Sequence, residues 1–590
     1  MSHSVSSGTS SKGARRAPNG PLPHLDQVRV VFLKGSAQAR GAQLGEYLAV
    51  ELREDPRPVR FWVEFVRHVL RRHMPGAPAA AIDNVARAVQ RQLVAPVASA
   101  YSPRLAAAVD AYADALGPLD LGPLASGSLR ETVRLTHAMY DGLNVLTGLP
   151  IGMRAPAGQL GCSSLVALPS TTKSGTLVHG RNFDLPPHGE ASAPLVCVHL
   201  PDEGIPHVSL HHGGGFTAGI TATNQAGLSL GVHQNLTTVV SPHGRSVIDV
   251  ALDVIEHCDS LSAALERLRS TPTAGGWTFV LSDARKGRAA AVEIDARGAC
   301  SLFPPGHFLA VANCYRTRKA RDSFSFTGAL REHNWCRLSR LNQHARAAAG
   351  AHNVVTVAHA LADHMDAYAP SRRRAYGNTV SAIHNLDAVI FAPELDGLWV
   401  AVGHGPRNSA DGYVGLRLST LFDERVEALA PVEVELPHDR SSDASDFRRA
   451  LQLHSEACLA LFTGDDPTLA LDKLEEAARL DAGEPLHRFL RGVLLLQEGF
   501  AGDAVELLAP CIDEETSPYR KGLSALMLGR ALDVLGHRTE ARGHYRSVPE
   551  LAGDVDPGLV ARARKDHAAG FAPARAPQLI IDNILADVVN

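Results

Sequence analysis

Aromatic side chains are scarce here, with 17 Phe, 10 Tyr and 4 Trp in 590 residues, or 5% of the chain. A base-stacking platform for single-stranded nucleic acid needs aromatic faces, and so few argue against one. Net charge is nearly absent too. Lys plus Arg number 58 against 62 Asp plus Glu, a formal −4, which leaves no basic footprint for nucleic acid or an anionic membrane surface. No stretch approaches the ~20 apolar residues that span a bilayer. The eight cysteines (Cys162, Cys197, Cys258, Cys300, Cys314, Cys336, Cys458 and Cys511) are scattered without a CxxC pair. That spacing speaks against a disulfide framework or structural zinc and fits a reducing cytoplasm. The 28 histidines include no HExxH or comparable ligand spacing, and no P-loop or dinucleotide fingerprint is present. No metal and no other cofactor is expected.

What is present is ordinary globular material, 45% hydrophobic and 20% charged, long enough for more than one domain. Residues 1–24 begin with a Ser-, Gly- and Arg-rich stretch lacking an apolar core, which reads as a disordered tail rather than a signal peptide. A short β-type run, Val28 to Leu33, precedes Gly35 to Gly45, a turn leading into a helix. The pattern then stays helical to about Leu146, with breaks near Pro75 and Pro103, giving a helical N-terminal segment over 25–161.

From Cys162 the composition shifts to short β-like runs set off by Gly, Pro, Asp and Asn. Examples are Ser163 to Leu168, Leu195 to Leu200, Leu228 to His233, Ala290 to Ile294 and Leu398 to Val402. Helices are expected over Ser246 to Leu268 and Trp335 to Ala349. Residues 162–435 therefore read as an α+β region rich in antiparallel sheet. A charged, Ser-rich linker is expected over 436–447, and 448–590 is helical again. There Ala470, Ala504 and Ala541 sit early in successive second helices, 34 and 37 residues apart. That spacing resembles tetratricopeptide repeats, in which small residues let paired helices approach.

The chemistry centres on Gly161-Cys162-Ser163-Ser164, followed by Gly180-Arg181-Asn182-Phe183-Asp184. Taken alone, Cys162 at a domain join reads as a small buried hydrophobe. The glycine before it removes side-chain bulk and permits an unusual backbone, so that the sulfur could attack its own preceding carbonyl. Cleavage there would give Cys162 a free α-amine. Such an amine titrates at about 7.7–8.0 and can act as general base, joining nucleophile and base in one residue. A cation at Arg181 would favour the thiolate, and a carboxylate at Asp184 would orient the amine; the plain alternative is a turn ion pair.

These elements, in order with Gly35 to Gly45, Thr223-Asn224-Gln225-Ala226-Gly227-Leu228, Val311-Ala312-Asn313-Cys314-Tyr315 and Trp335-Cys336-Arg337-Leu338-Ser339-Arg340-Leu341, resemble a known family. It is the acyl-coenzyme A:6-aminopenicillanic acid acyltransferase family of autoproteolytic N-terminal-nucleophile hydrolases, relatives of choloylglycine hydrolases and acid ceramidase. The resemblance implies a four-layer αββα sandwich with a helical N-terminal pro-segment, followed here by the all-α repeat domain. It implies self-cleavage between Gly161 and Cys162 and products that stay together as a heterodimer. Cys162 would be the nucleophile, Arg181 and Asp184 its neighbours, and the Asn224 backbone N–H with the Asn313 side-chain amide its oxyanion hole. Arg337 would support the site, with Arg340 as competitor, because Asn334 stands where the family often has Ser. The substrate would be a small molecule with an amide or related acyl bond, and the C-terminal repeats could hold a protein partner.

Two other readings stand beside this one. Gly227-Leu228-Ser229-Leu230-Gly231 fits a G-x-S-x-G elbow and His212-Gly213-Gly214-Gly215 a lipase-type oxyanion motif, which together would make Ser229 a serine esterase nucleophile. Against it, β-type alternation runs on through Val232 to Leu236 where an elbow needs a helix. The other is a repeat-containing scaffold with no catalysis.

Overall fold

The computed structural model describes residues 15–16, 27–74, 76–122, 128–148, 161–185, 193–211, 214–317, 328–403, 412–434, 443–461, 466–552, 556–582, 587–588 and 590. The expected N-terminal tail lies outside these except Arg15–Arg16, which pairs antiparallel with Phe32 and Val31. So do residues 149–160, the stretch immediately ahead of Gly161.

The strands in chain order are β1 (Arg15–Arg16), β2 (Arg29–Gly35), β3 (Gly161–Ala167), β4 (Val178–Asp184), β5 (Leu195–Pro201), β6 (His207–His211), β7 (Thr221–Asn224) and β8 (Leu228–Gln234). They continue with β9 (Trp277–Asp283), β10 (Arg288–Asp295), β11 (Gly298–Leu302), β12 (Phe308–Val311), β13 (Asn385–Ala392), β14 (Gly397–Ala401), β15 (Tyr413–Arg417) and β16 (Ala428–Val432). One sheet has nine strands in the order β1-β2-β5-β6-β7-β8-β9-β10-β11, the other seven in the order β12-β3-β4-β13-β14-β15-β16.

The two sheets pack face to face because their strands alternate apolar residues between two buried sides. Val30, Phe32, Val196 and Val208 of the first sheet meet Val389, Phe391, Leu398 and Val414 of the second. The opposite parity, Val31 and Leu33, faces the N-terminal helices, among them Trp62, Phe65, Leu105 and Leu143. On the far side, Leu338, Leu341, Val357 and Leu361 cover Leu165, Val178, Ala388 and Ile390 of the second sheet. The layers therefore run helix, sheet, sheet, helix.

The N-terminal segment is woven into this sandwich, since β2 lies parallel to β5 inside the first sheet. After it, Ser36 caps the helix Ala37–Glu54. Gly41 and Gly45 in that helix let it approach Pro103–Leu116 closely: a Cβ on Gly41 would lie 2.1 Å from the Ala108 carbonyl oxygen. The single helix expected over Ser246 to Leu268 is two, Val247–His257 and Leu261–Arg269. The Asn224 side chain donates to the carbonyls of Ile255 and Cys258 at 2.9 Å each, satisfying the end of the first helix.

The C-terminal region forms three successive helix pairs, Ala444–Leu459 with Pro467–Leu480, Pro485–Gln497 with Ala501–Glu514, and Pro518–Val534 with Arg538–Ala552, then Pro557–Ala569. Ala470, Ala504 and Ala541 are each buried near the start of the second helix of a pair. Residues 444–447, expected in the linker, instead form the first turn of a helix capped by Asp443, while 435–442 lie outside the described residues. The region is docked on the sandwich through Arg374, which reaches Glu484 and Glu515 at 3.0 Å and Asp366 at 3.2 Å, all fully buried. Among the described residues no helix is long and apolar enough to cross a membrane.

Candidate active site

Cys162 is the second residue of β3 and is fully buried. Alternation along β3 sends Cys162 and Ser164 toward the other sheet and Ser163 toward the covering helix; Ser164 Oγ meets His233 Nε2 at 2.8 Å, and Ser163 Oγ accepts from Arg337 Nη1 at 3.2 Å. The thiol donates to the Val232 carbonyl of β8 at 3.5 Å.

Arg181 stands across from Ser164 on β4. Its Nη2 reaches Cys162 Sγ at 3.5 Å, and Nη1 and Nη2 donate to the carbonyls of Ile220 and Val232. Gly231 makes room for it, because a Cβ there would lie 2.9 Å from Arg181 Cδ. Burial pushes the Cys162 thiol above its ordinary range; Arg181 and Arg337 pull it back and Asp184 adds to the rise. Burial thus opposes the thiolate at this sulfur while the neighbouring guanidinium favours it.

The backbone nitrogen of Cys162 is held from the other side. Its N–H donates to Asn313 Oδ1 at 2.7 Å, and Asn313 Nδ2 donates to the Gln234 carbonyl at 2.7 Å. Arg337 Nη2 donates to the same Asn313 Oδ1 at 2.8 Å and to Asn334 Oδ1 at 2.6 Å, while Nη1 donates to the Cys162 carbonyl. Asn334, one helical turn before Arg337, also donates to the Asn313 carbonyl at 2.7 Å. Asn334 therefore ties Arg337 and Asn313 together, a role the sequence did not reveal.

Gly161 faces Asp184 across the ladder. Its φ is not in the left-handed region; what requires glycine is space, since a Cβ would lie 2.6 Å from Asp184 Oδ2. Asp184 Oδ1 accepts from Asn385 Nδ2 at 2.7 Å. Oδ2 accepts no hydrogen bond among the described residues, its nearest cation being Arg337 Nη1 at 3.9 Å.

The structure thus brings together Gly161, Cys162, Arg181, Asp184, Asn313 and Arg337. It does not bring Asn224. That residue lies opposite His207 at the far end of β7, four residues beyond Ile220, or ~13 Å along a strand at ~3.3 Å per residue. Its side chain is bonded to Ile255, Cys258 and the Leu228 N–H and fastens a turn and a helix end, while the strand spacing sets the backbone N–H expected in the oxyanion hole apart from Cys162. The Asn313 amide N–H, also expected in that hole, is engaged by Gln234 in the intact chain. Arg340 pairs with Asp363 at 2.7 Å and is turned away from Cys162, so Arg337 is the arginine at the site. Ser229 lies inside β8, paired with both β7 and β9 and bonded to Thr223 Oγ1 at 2.9 Å. A mid-sheet strand is not a strand-to-helix elbow; His212 and Gly213 lie outside the described residues. Among the described residues no three His, Cys, Asp or Glu side chains cluster as a metal site.

The family described as "Acyl-coenzyme A:6-aminopenicillanic acid acyl-transferase" matches residues 170–407. The resemblance read from the sequence is borne out over that stretch, which contains Arg181, Asp184, Asn313 and Arg337, with Cys162 just ahead of it. The architecture is a four-layer αββα sandwich, as expected, extended by an all-helical C-terminal region. Solved structures similar to the chain include an alanine mutant of conjugated bile acid hydrolase from Clostridium perfringens, at 13% identity and TM-score 0.31, covering 47% of this chain and 99% of that one. Another is a Caenorhabditis elegans ortholog of N-acylethanolamine-hydrolyzing acid amidase, at 13% identity and TM-score 0.28, covering 39% and 93%. No curated relative matches the chain.

Proposed function

We propose that this chain is a cysteine amidohydrolase or N-acyltransferase that first breaks its own Gly161–Cys162 bond. One observation carries the reading: the Cys162 nitrogen rests on Asn313 Oδ1 at 2.7 Å while its sulfur lies 3.5 Å from Arg181. Nucleophile and scissile nitrogen are thus each held by a separate partner. The sulfur attacks the Gly161 carbonyl, the C–N bond breaks with protonation of the nitrogen, and water hydrolyses the resulting thioester. Residue 162 then carries a free amine, and Gly161, now a free carboxylate end no longer tethered to it, can swing away from Asp184 Oδ2. In turnover the sulfur attacks an acyl carbonyl, the amine takes the thiol proton and passes it to the leaving group, and the thioester goes to water or an amine. The match to the acyltransferase family supports this chemistry. The acyl substrate is a small molecule with an amide or related bond, and the acceptor decides between hydrolysis and transfer.

The two products would stay together, because β2 is hydrogen-bonded within the nine-stranded sheet and Arg40 pairs with Glu256 in full burial at 2.6 Å. The C-terminal helix pairs, read as tetratricopeptide-like, offer a surface for a protein partner, and unpaired cysteines fit a cytoplasmic setting. Intact mass under denaturing conditions tests the central claim: fragments 1–161 and 162–590 are expected from the wild type, eluting together on native gel filtration, and one chain from Cys162→Ala. A wild-type chain that stays whole, or a Cys162→Ala chain that still turns over the acyl substrate, sinks it.

A further inference from the structure

Asp184 sits in a row of three neighbouring strands, with Gly161 of β3 on one side and Asn385 of β13 on the other. One of its oxygens is fixed and the other is not. Oδ1 takes the Asn385 amide at 2.7 Å, whereas Oδ2 is without a hydrogen bond and lies against Gly161. Both Asp184 and Asn385 are buried, so water does not orient the carboxylate in place of the amide. The register of β13 shifts between Asn385, opposite Asp184, and Asp387, opposite Phe183. Such a bulge re-aims a side chain. Asn385 is also anchored from behind: its N–H donates to the Ala382 carbonyl at 3.2 Å, and the neighbouring His384 carbonyl accepts from Leu185 at 2.9 Å.

We infer that Asn385 is a positioning residue for the reaction at Cys162: by holding Asp184 Oδ1 it aims Oδ2 at the space where cleavage frees the Cys162 amine. This rests on the self-cleaving reading above. The amide is suited to the task because it donates at every pH and adds no charge to a pocket already holding a carboxylate and two guanidinium groups. An acid at 385 would do the same only while protonated, since two carboxylates in contact cannot both ionise.

Asn385→Leu and Asn385→Asp, each checked for folding by circular dichroism, test this through self-cleavage rates by intact mass and through turnover of a panel of N-acyl amides across pH. Asn385→Leu is expected to lower both rates about tenfold, the worth of one buried hydrogen bond of ~1.4 kcal/mol. Asn385→Asp is expected to keep its rate at acid pH and lose it on the alkaline side, where the wild type does not. A purely structural role would lower the rate by one factor at every pH. Wild-type rates and pH profiles in both variants overturn the inference while leaving Cys162 as nucleophile. If Asn385→Leu does not fold, the Asn385→Asp profile decides alone: a uniform drop or no change overturns it. A wild-type chain that never cleaves overturns the inference together with the reading it rests on.

Discussion

Asn313 Oδ1 accepts the backbone N–H of Cys162 at 2.7 Å and, from the other side, an N–H of Arg337 at 2.8 Å. One side-chain oxygen thus couples the nitrogen that cleavage would free to the buried guanidinium that also grips the Cys162 carbonyl. Asn313→Ala removes this junction. Self-cleavage is expected to slow by roughly 10- to 100-fold, the equivalent of ~1.4–3 kcal/mol of lost hydrogen bonding, followed by intact mass over time. An unchanged rate would show that Asn313 only fastens the fold.

Arg337 and Arg340 make a matched pair for mutation, three residues apart on the helix Gly328–Ala347. Arg337→Lys keeps the charge but loses the fork that reaches Cys162, Ser163, Asn313 and Asn334 at once; lysine's point charge cannot span them. Cleavage and turnover are expected to fall roughly 100-fold, ~3 kcal/mol. Arg340→Lys keeps a cation beside Asp363 and touches nothing at Cys162, so it should change the rate less than about twofold, because sites without shared partners act independently. The reverse order of effects would reassign the supporting arginine.

Acid should unfold this protein through its buried histidines. Burial holds His137, His364, His384 and His487 down at about 4, against 6.5 in an open chain. They are neutral in the fold, and His137 shows why: Nδ1 donates to the Val133 carbonyl while Nε2 accepts from the Phe216 N–H, leaving no site for a second proton. The unfolded chain takes protons first, so this stabilisation is full above about 6.5 and is lost as pH falls toward 4, at roughly 3 kcal/mol per histidine. Denaturant midpoints stepped from pH 7.5 to 4.5 should fall steeply; a flat profile contradicts the burial of these rings.

Arg374 is the only cation bonded to Glu484 and Glu515 among the ion pairs of the described residues. Burial alone would raise the Glu484 carboxyl, yet the Arg374 charge overrides it and holds it at about 2. Arg374→Met leaves buried carboxylates without their partner, at an expected ~3–5 kcal/mol. Thermal unfolding should show the loss, and limited proteolysis should release the C-terminal helices. If stability is unchanged, the interface does not depend on this cluster.

Much of this was legible in the chain. Gly161, Cys162, Arg181 and Asp184 lie within 24 residues on two consecutive strands, and adjacent antiparallel strands bring neighbours in sequence together in space. The short β-runs of the catalytic region and the three buried alanines of the helix pairs were also readable, because period and residue size are local properties. Other features were not. Asn385 lies 201 positions from Asp184, on a strand whose sequence Asn-Leu-Asp-Ala-Val-Ile-Phe-Ala carries no motif. Asn224 shows the opposite failure: its turn matched a family pattern, but strand register carried it away from the sulfur and onto a helix end.

The sequence by itself put a cysteine, a glycine, an arginine and a carboxylate on two neighbouring β-type runs and marked most segments as helix or strand. It did so because thiol, glycine, arginine and carboxylate are chemical identities and periodicity is written residue by residue. Tertiary structure decided which amide meets which atom: Asn313 on the Cys162 nitrogen, Asn385 on Asp184, Arg337 rather than Arg340 on the site. It also decided that the N-terminal segment lends a strand, β2, to the nine-stranded sheet that packs on the sheet carrying Cys162. These depend on register and on contacts between distant segments, where a shift of one residue turns a side chain to the opposite face.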